Sequence, residues 1–460
     1  MNTATDHPDL DHLPLHVDGV RVRETVRELF RNTENGTPDN ISKAGCLALA
    51  LKSNEVGKPN KGHLVWNAWR EAFATRRSES NGADNRADFS REIFSNADPS
   101  FAGFNFGDFA DFRDSTWTAN AVFKGATFGR DSDFSKAKFQ TSAHFQGAQF
   151  DQYASFEACQ FGAEVGQPVP NDPEPCAHFE GAQFAGNANF TNARFYGHAI
   201  LTGQEWHELR RHYSDQTEFE AARTWGTQHG TTPFAFDNVD FGGAAFWGVA
   251  NFERRVFRRH GNFLRSSSSP QVERRTTFHR VPRFCAWTLY PSMSFEGAVF
   301  PRASRNADDA RTYHSLKMAF SQQQAVREKQ HFFRLEMDEE AQRETGLKRW
   351  LFRAYRFFSD YGFSIGKPLV VLLVCAIALG PVHTDAPQWC VPIDSSGRCD
   401  IWQPSVWANG FWYGTPLGGI RPTESPIPAL QMPGIVLHKT ISLAALFLAG
   451  LALRNLFKLK

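Results

Sequence analysis

The sequence predicts a mainly β protein: a solenoid of short strands, capped by helices and continued by apolar helical segments. Three observations predict it. An aromatic residue recurs at Phe106, Phe112, Trp117, Phe123, Phe128, Phe134, Phe139, Phe145, Phe150, Phe156 and Phe161, in steps that alternate 6 and 5. On a helix such steps turn through about 500° and 600°, so the rings would spiral and form no face. A small residue sits two positions before each ring after the first, from Ala110 and Ser115 to Ala154 and Cys159. Two residues is the repeat of an extended strand, so each small–x–aromatic triplet turns both side chains to one face. Beyond residue 302 the repeat gives way to a helical composition and then to two apolar runs. One triplet cannot bury its face alone, whereas stacked turns of chain can.

The triplets "ADF", "ANF", "ATF", "AKF" and "AQF" resemble those of the pentapeptide-repeat family, whose unit A-(D/N)-L-x-x puts a small residue two before a central Leu or Phe. The resemblance implies a right-handed quadrilateral β-helix, with four short faces per coil and the small residues and Phe pointing inward. The extra residue on every second face departs from the family unit and predicts coils of 22 residues, by the repeated steps of 6 and 5. Phe112, Phe123, Phe128, Phe134, Phe139, Phe145, Phe150, Phe156, Phe184 and Phe190 are expected in the solenoid core.

In chain order, residues 1–86 form an N-terminal helical and cap region. Helices are expected around residues 19–31 and 41–52. "HLVWNAWREAF" at 63–73 places Leu64, Trp66, Trp69 and Phe73 at helical spacing. It resembles the "WN-WR" helix that precedes the first coil in the family, where it would cover the open end of the core and its unpaired strand edges. Residues 87–302 are the repeat region, with excursions at 162–176, 203–225 and 264–276. Residues 303–362 are a helical linker. Its last part, 347–361, is amphipathic, with Arg349, Arg353 and Arg356 on one stripe opposite Trp350, Leu351, Phe357 and Phe358, which suits a membrane surface carrying anionic lipid. Residues 363–460 form the membrane domain, with spans expected at about 363–382 and 433–453. "YHSLKMAFSQQQAVREKQHFFRLEMDEE" and the flanks of both apolar runs resemble a membrane-anchored subset of the family with two C-terminal transmembrane helices.

Lys348, Arg349, Arg353, Arg356 and Lys367 precede the first run and Arg454, Lys458 and Lys460 follow the second, whereas the connector carries only Arg398 and Arg421. The positive-inside rule then places both termini in the cytoplasm of a bacterial cell, with a multi-pass anchor in the inner membrane. Cys390 and Cys399 flank the turn-rich "VPIDSSGR" of the outer connector and are expected to form a disulfide. The other five cysteines show no metal spacing. On the second run Ser442, Ala445, Ala449 and Ala452, with His438 one turn earlier, form a small stripe suited to close helix packing in lipid. Its partner is either the first span or other copies of the chain around a common axis.

No GxGxxG after a strand, Walker loop, HExxH or GxSxG is present, so no catalytic residue, cofactor or metal is expected. His331 and Glu336 are five apart, wrong for a helical metal pair. The formal charge of +1 gives no nucleic-acid signal. From 101 to 200 there are 11 acidic against 6 basic residues, too weak an excess for the DNA mimicry of topoisomerase-protecting relatives. The expected function is a membrane-anchored scaffold that presents a cytoplasmic β-helix to an unidentified protein partner. The chain is expected to contact membrane lipid and to form homo-oligomers. The alternative is an oligomeric, ion channel-like pore module regulated by the β-helix, with Trp402, Trp407, Phe411, Trp412 and Tyr413 of the connector at the membrane interface.

Overall fold

A computed structural model describes residues 8–57, 61–74, 86–95, 100–164, 174–213, 215–266, 274–284, 293–301, 307–379 and 432–457. The chain divides into two compact units, 1–329 and 330–460.

In the first unit, short parallel strands stack coil upon coil. The register is Thr116 on Lys138 on Gln160, 22 residues per coil. The excursion after Phe161 lengthens the offset to 34, as Gln149 pairs with Gln183, and then the register resumes. The expected rings all turn inward and are buried. They form four columns, one for each face. In one column Phe112, Phe134, Phe156, Phe190, Phe241, Phe263 and Phe295 stack at 4.7–5.1 Å between centroids. Between columns the rings meet edge to face, as Phe134 does with Phe123 at 88° and Phe145 at 89°. Both geometries are favourable for aromatic quadrupoles. Each five-residue side turns through one residue at positive φ, for example Gly125, Lys136, Gly147 and Ala158.

Helices α1 (Val22–Leu29), α2 (Lys43–Val56) and α3 (His63–Ala74) close the N-terminal end. Trp66 lies against Phe89, Phe104 and Phe106 at 5.6–5.9 Å and donates from Nε1 to the Asn105 carbonyl at 2.8 Å. Asn67 satisfies the strand edge. Its Nδ2 donates to the Gly103 carbonyl at 2.9 Å and its Oδ1 accepts from the Asn105 amide at 2.7 Å. One side-chain amide thus pairs with the edge as another strand's backbone would.

The excursion expected at 203–225 runs further. It holds α4 (Trp206–Leu209) and α5 (Gln216–Gln228), and the next strand begins only at Ala235. Beside this break in pairing, Arg255 donates to four backbone carbonyls. It occupies the inward slot two before Phe257, where earlier coils carry Ala126, Ala148 and Ala182, and it is fully buried. Its Nε donates to Leu201 O at 2.8 Å, Nη1 to Ala182 O at 2.8 Å and Pro233 O at 3.2 Å, and Nη2 to Phe179 O at 2.7 Å. The guanidinium also lies 4.5 Å from the Phe236 ring centroid. Burial pushes its pKa down to about 9, so it stays charged at neutral pH. At 264–276 the described part of the expected excursion is a small antiparallel hairpin, Arg265–Ser266 with Arg274–Arg275. The solenoid ends on α6 (Ala307–Gln322), whose Phe320 and Tyr313 pack on Phe295 and Phe300.

The second unit contains most of α7 (Val326–Arg343), then α8 (Gly346–Ser359), α9 (Gly366–Leu379) and α10 (Met432–Phe457). By length and composition, Val436–Asn455 is apolar enough to cross a membrane, while Gly366–Cys375 is a shorter apolar segment. The first span expected at 363–382 runs past Leu379, where the described part of α9 ends.

Phe134→Ala should destabilise the solenoid by about 3–5 kcal/mol, the cost of an aromatic-sized core deletion, with Phe134→Leu costing less. Chemical denaturation followed by tryptophan fluorescence measures it. A loss below about 1 kcal/mol would contradict the interlocked columns.

Candidate interaction face and membrane unit

Four corners of one edge of the solenoid are glycines at positive φ: Gly103, Gly125, Gly147 and Gly181. The neighbouring edge makes the same turn with Asp114, Lys136, Ala158 and Asn192 at φ 55–62°. Backbone conformation therefore does not demand glycine here, and close approach does. The segment 204–230 folds back along this column as a strap. A Cβ on Gly125 would stand 3.0 Å from the Tyr213 ring, one on Gly147 2.8 Å from the Tyr213 hydroxyl, and one on Gly181 2.4 Å from Leu209. Tyr213 donates to the Gly147 carbonyl at 2.8 Å, and burial raises its pKa. Trp206, Leu209, Phe219 and Ala222 complete a small core with it.

Polar contacts anchor the strap at its start and at the first turn of α5. Arg254 holds Glu205 at 3.2 Å and Glu208 at 3.1 Å. Glu218 meets His63 of α3 at 2.5 Å, tying the strap to the N-terminal cap. Gly226 lets α5 approach Gln183. Gln183 is fully buried, and its side-chain amide has no hydrogen-bond partner among the described residues.

Beside the strap lies a cluster of imidazoles. His144 and His178 stack on successive coils at 4.6 Å, and His178 Nδ1 is 3.2 Å from Glu180. Gln146 Nε2 lies 3.4 Å from His144 Nδ1. Burial, then the neighbouring His178 and Lys124, holds His144 down at about 4. Burial, then Arg211 and Lys124, does the same to His212 of the strap. Among the described residues no group of three or more His, Cys, Asp or Glu is arranged to hold a metal ion.

In the second unit, Arg356 does not lie free on its expected stripe. It pairs with the buried Asp338 of α7 at 3.1 Å, and Tyr361 donates to the same carboxylate at 2.9 Å. Burial and the Asp338 charge raise the Tyr361 pKa. Asp360, Tyr361 and Gly362 turn the chain through three successive positive φ angles, and Asn455 of α10 donates to the Gly362 carbonyl at 2.9 Å. Arg353 keeps an exposed place on α8. Arg349 is half-buried, with Nε unpartnered. Leu347, Trp350, Leu351 and Phe357 are exposed, each by more than half. His438, Ser442, Ala445, Ala449 and Ala452 are all buried within the single chain, where α10 packs along α9. Cys390 and Cys399 lie outside the described residues.

Sequence reasoning missed the strap contacts and Arg255. The glycine column was available as a signal, because Gly103, Gly125, Gly147 and Gly181 each follow an aromatic by two. Asp338 carried no signal, since its partners are 18 and 23 residues away in the chain.

Gly147→Ala should push Tyr213 away and open the strap to trypsin at Arg210 and Arg211, whereas Lys136→Ala on the uncovered edge should not. Equal cleavage of both variants would show that the strap does not depend on the glycines. The histidines give a pH dependence. Their folded pKa values lie below the unfolded value near 6.5, so neutral imidazole favours the docked state. That contribution is complete above pH 6.5 and is lost as pH falls towards 4. Hydrogen exchange of α5 should therefore rise across that window, and less so in His212→Asn.

Comparison with known proteins gives one match. No curated protein and no solved structure is detectably similar to the chain. Residues 112–160 match a family model described as pentapeptide repeats, in nine copies. These are the coils with the undisturbed 22-residue register, and they are pentapeptide repeats.

Proposed function

We propose that this chain is a membrane-anchored scaffold of the bacterial inner membrane, presenting its β-helix to a protein partner in the cytoplasm. The observation that carries this reading is the union, in one chain, of a rigid pentapeptide-repeat stack with a helix apolar enough to cross a membrane. A solenoid offers long outer faces whose side chains are free of the core, a form suited to docking an extended partner surface. The exposed apolar residues of α8 and its exposed Arg353 support a helix lying in the headgroup layer. No catalytic or cofactor role is part of this reading, and neither is nucleic-acid binding.

The pore alternative draws on the small stripe of α10. Burial of that stripe within one chain favours the scaffold, because the same residues would have to line a shared axis in a pore. Homo-oligomers remain part of the proposal through other surfaces, and so does the Cys390–Cys399 disulfide in an outer connector.

Membrane fractionation and proximity labelling in the native host test the scaffold together. The chain should resist alkaline carbonate extraction, and labelling enzymes fused to the N-terminus should mark a defined set of cytoplasmic proteins. Purified protein in liposomes should leave ion flux at the level of empty vesicles. Flux that Ala445→Leu with Ala449→Leu abolishes would replace the scaffold with the pore.

A further inference from the structure

We propose that the second unit binds one acyl chain of an anionic phospholipid between α8, α9 and α10, with the lipid phosphate at Arg353. This rests on the membrane reading above. A cavity of about 510 Å³ opens between the three helices, walled by Phe357 and Phe358 of α8, Val371 and Val374 of α9, and Ala445 and Leu448 of α10. That size falls within the ~300–1,000 Å³ typical of sites for small organic ligands. No charged side chain reaches its wall. Water would find no hydrogen-bonding partners there, so the space suits hydrocarbon.

The surrounding charges say which hydrocarbon. Arg353, expected opposite Phe357, stands one helical turn before it and so shares its face of α8, exposed and without an ion pair among the described residues. Arg349 stands one turn further back, its Nε unpartnered. Lys367, next to Pro368 of the cavity wall, reaches the Arg356 carbonyl at 3.2 Å. Lys367 therefore stands where α9 begins and Arg353 one turn before the α8 part of the wall, while the wall itself is apolar. That profile fits an amphiphile with an anionic head and a hydrocarbon tail. From Pro368 to Cys375 the wall descends about 10 Å at 1.5 Å per residue, so it would hold the upper part of a tail.

The full chain, extracted in mild detergent, should retain one phosphatidylglycerol in native mass spectrometry when mixed vesicles of phosphatidylglycerol and phosphatidylcholine are supplied. Val374→Trp, which fills the cavity, should reduce retention at least tenfold. Arg353→Gln should remove the preference for the anionic lipid, and Arg353→Lys should keep most of it. Unchanged retention in both Val374→Trp and Arg353→Gln overturns the proposal, as does equal retention of the two lipids by the unaltered chain. Retention of free fatty acid alone overturns the phospholipid. A Val374→Trp variant that falls from oligomer to monomer would assign the cavity to a second copy instead. Loss of the membrane reading gives a different result: the unaltered chain appears in the carbonate-wash supernatant.

Discussion

The stacking distance of phenylalanine rings governs this molecule. Parallel strands in a sheet lie about 4.7–4.9 Å apart. Rings of one column, on successive coils, meet at 4.7–5.1 Å in the described stacks from Phe112 to Phe295. The backbone ladder and the aromatic stack therefore share one period, and neither strains the other. Between columns the rings of a coil meet edge to face.

This is why the solenoid was so legible. Core position and coil length both follow from spacing along the chain, and spacing is what a sequence displays. The caps were legible for a related reason, because Trp66 and Trp69 continue an aromatic core past its last strand. Asn67 was harder. Its role appears only when the edge groups of Gly103 and Asn105 are seen to need a partner. Contacts that depend on a change of path were hidden. The strap crosses corners up to about a hundred residues earlier, and no period links Tyr213 to Gly125. In the second unit hydropathy marked both apolar helices, but the Asp338–Arg356–Tyr361 junction depends on how helices meet.

The two edges of the solenoid make a natural comparison. They turn through the same φ, yet where the strap lies the first turns at Gly103, Gly125, Gly147 and Gly181, and the second turns at Asp114, Lys136, Ala158 and Asn192. The usual association of glycine with positive φ would have explained the first edge and left the second as an anomaly. The difference lies outside the backbone, in what covers it. On the bare edge, side chains tolerate a mildly unfavourable conformation. On the covered edge, the missing Cβ is a recess shaped for Tyr213 and Leu209.

Arg255 has a consequence for how such a solenoid can change over evolutionary time. Its guanidinium is accommodated beside an inserted segment, where it reaches backbone carbonyls on two levels of the stack below its own. Excise the insertion and restore continuous pairing, and the same arginine becomes an unmatched buried cation. Mutate the arginine first, and the breach loses its donors. Neither step is acceptable alone, so the two features are locked together by sign epistasis. The coil can shed its insertion only through an intermediate in which the interior slot has already returned to a small residue by some compensated route.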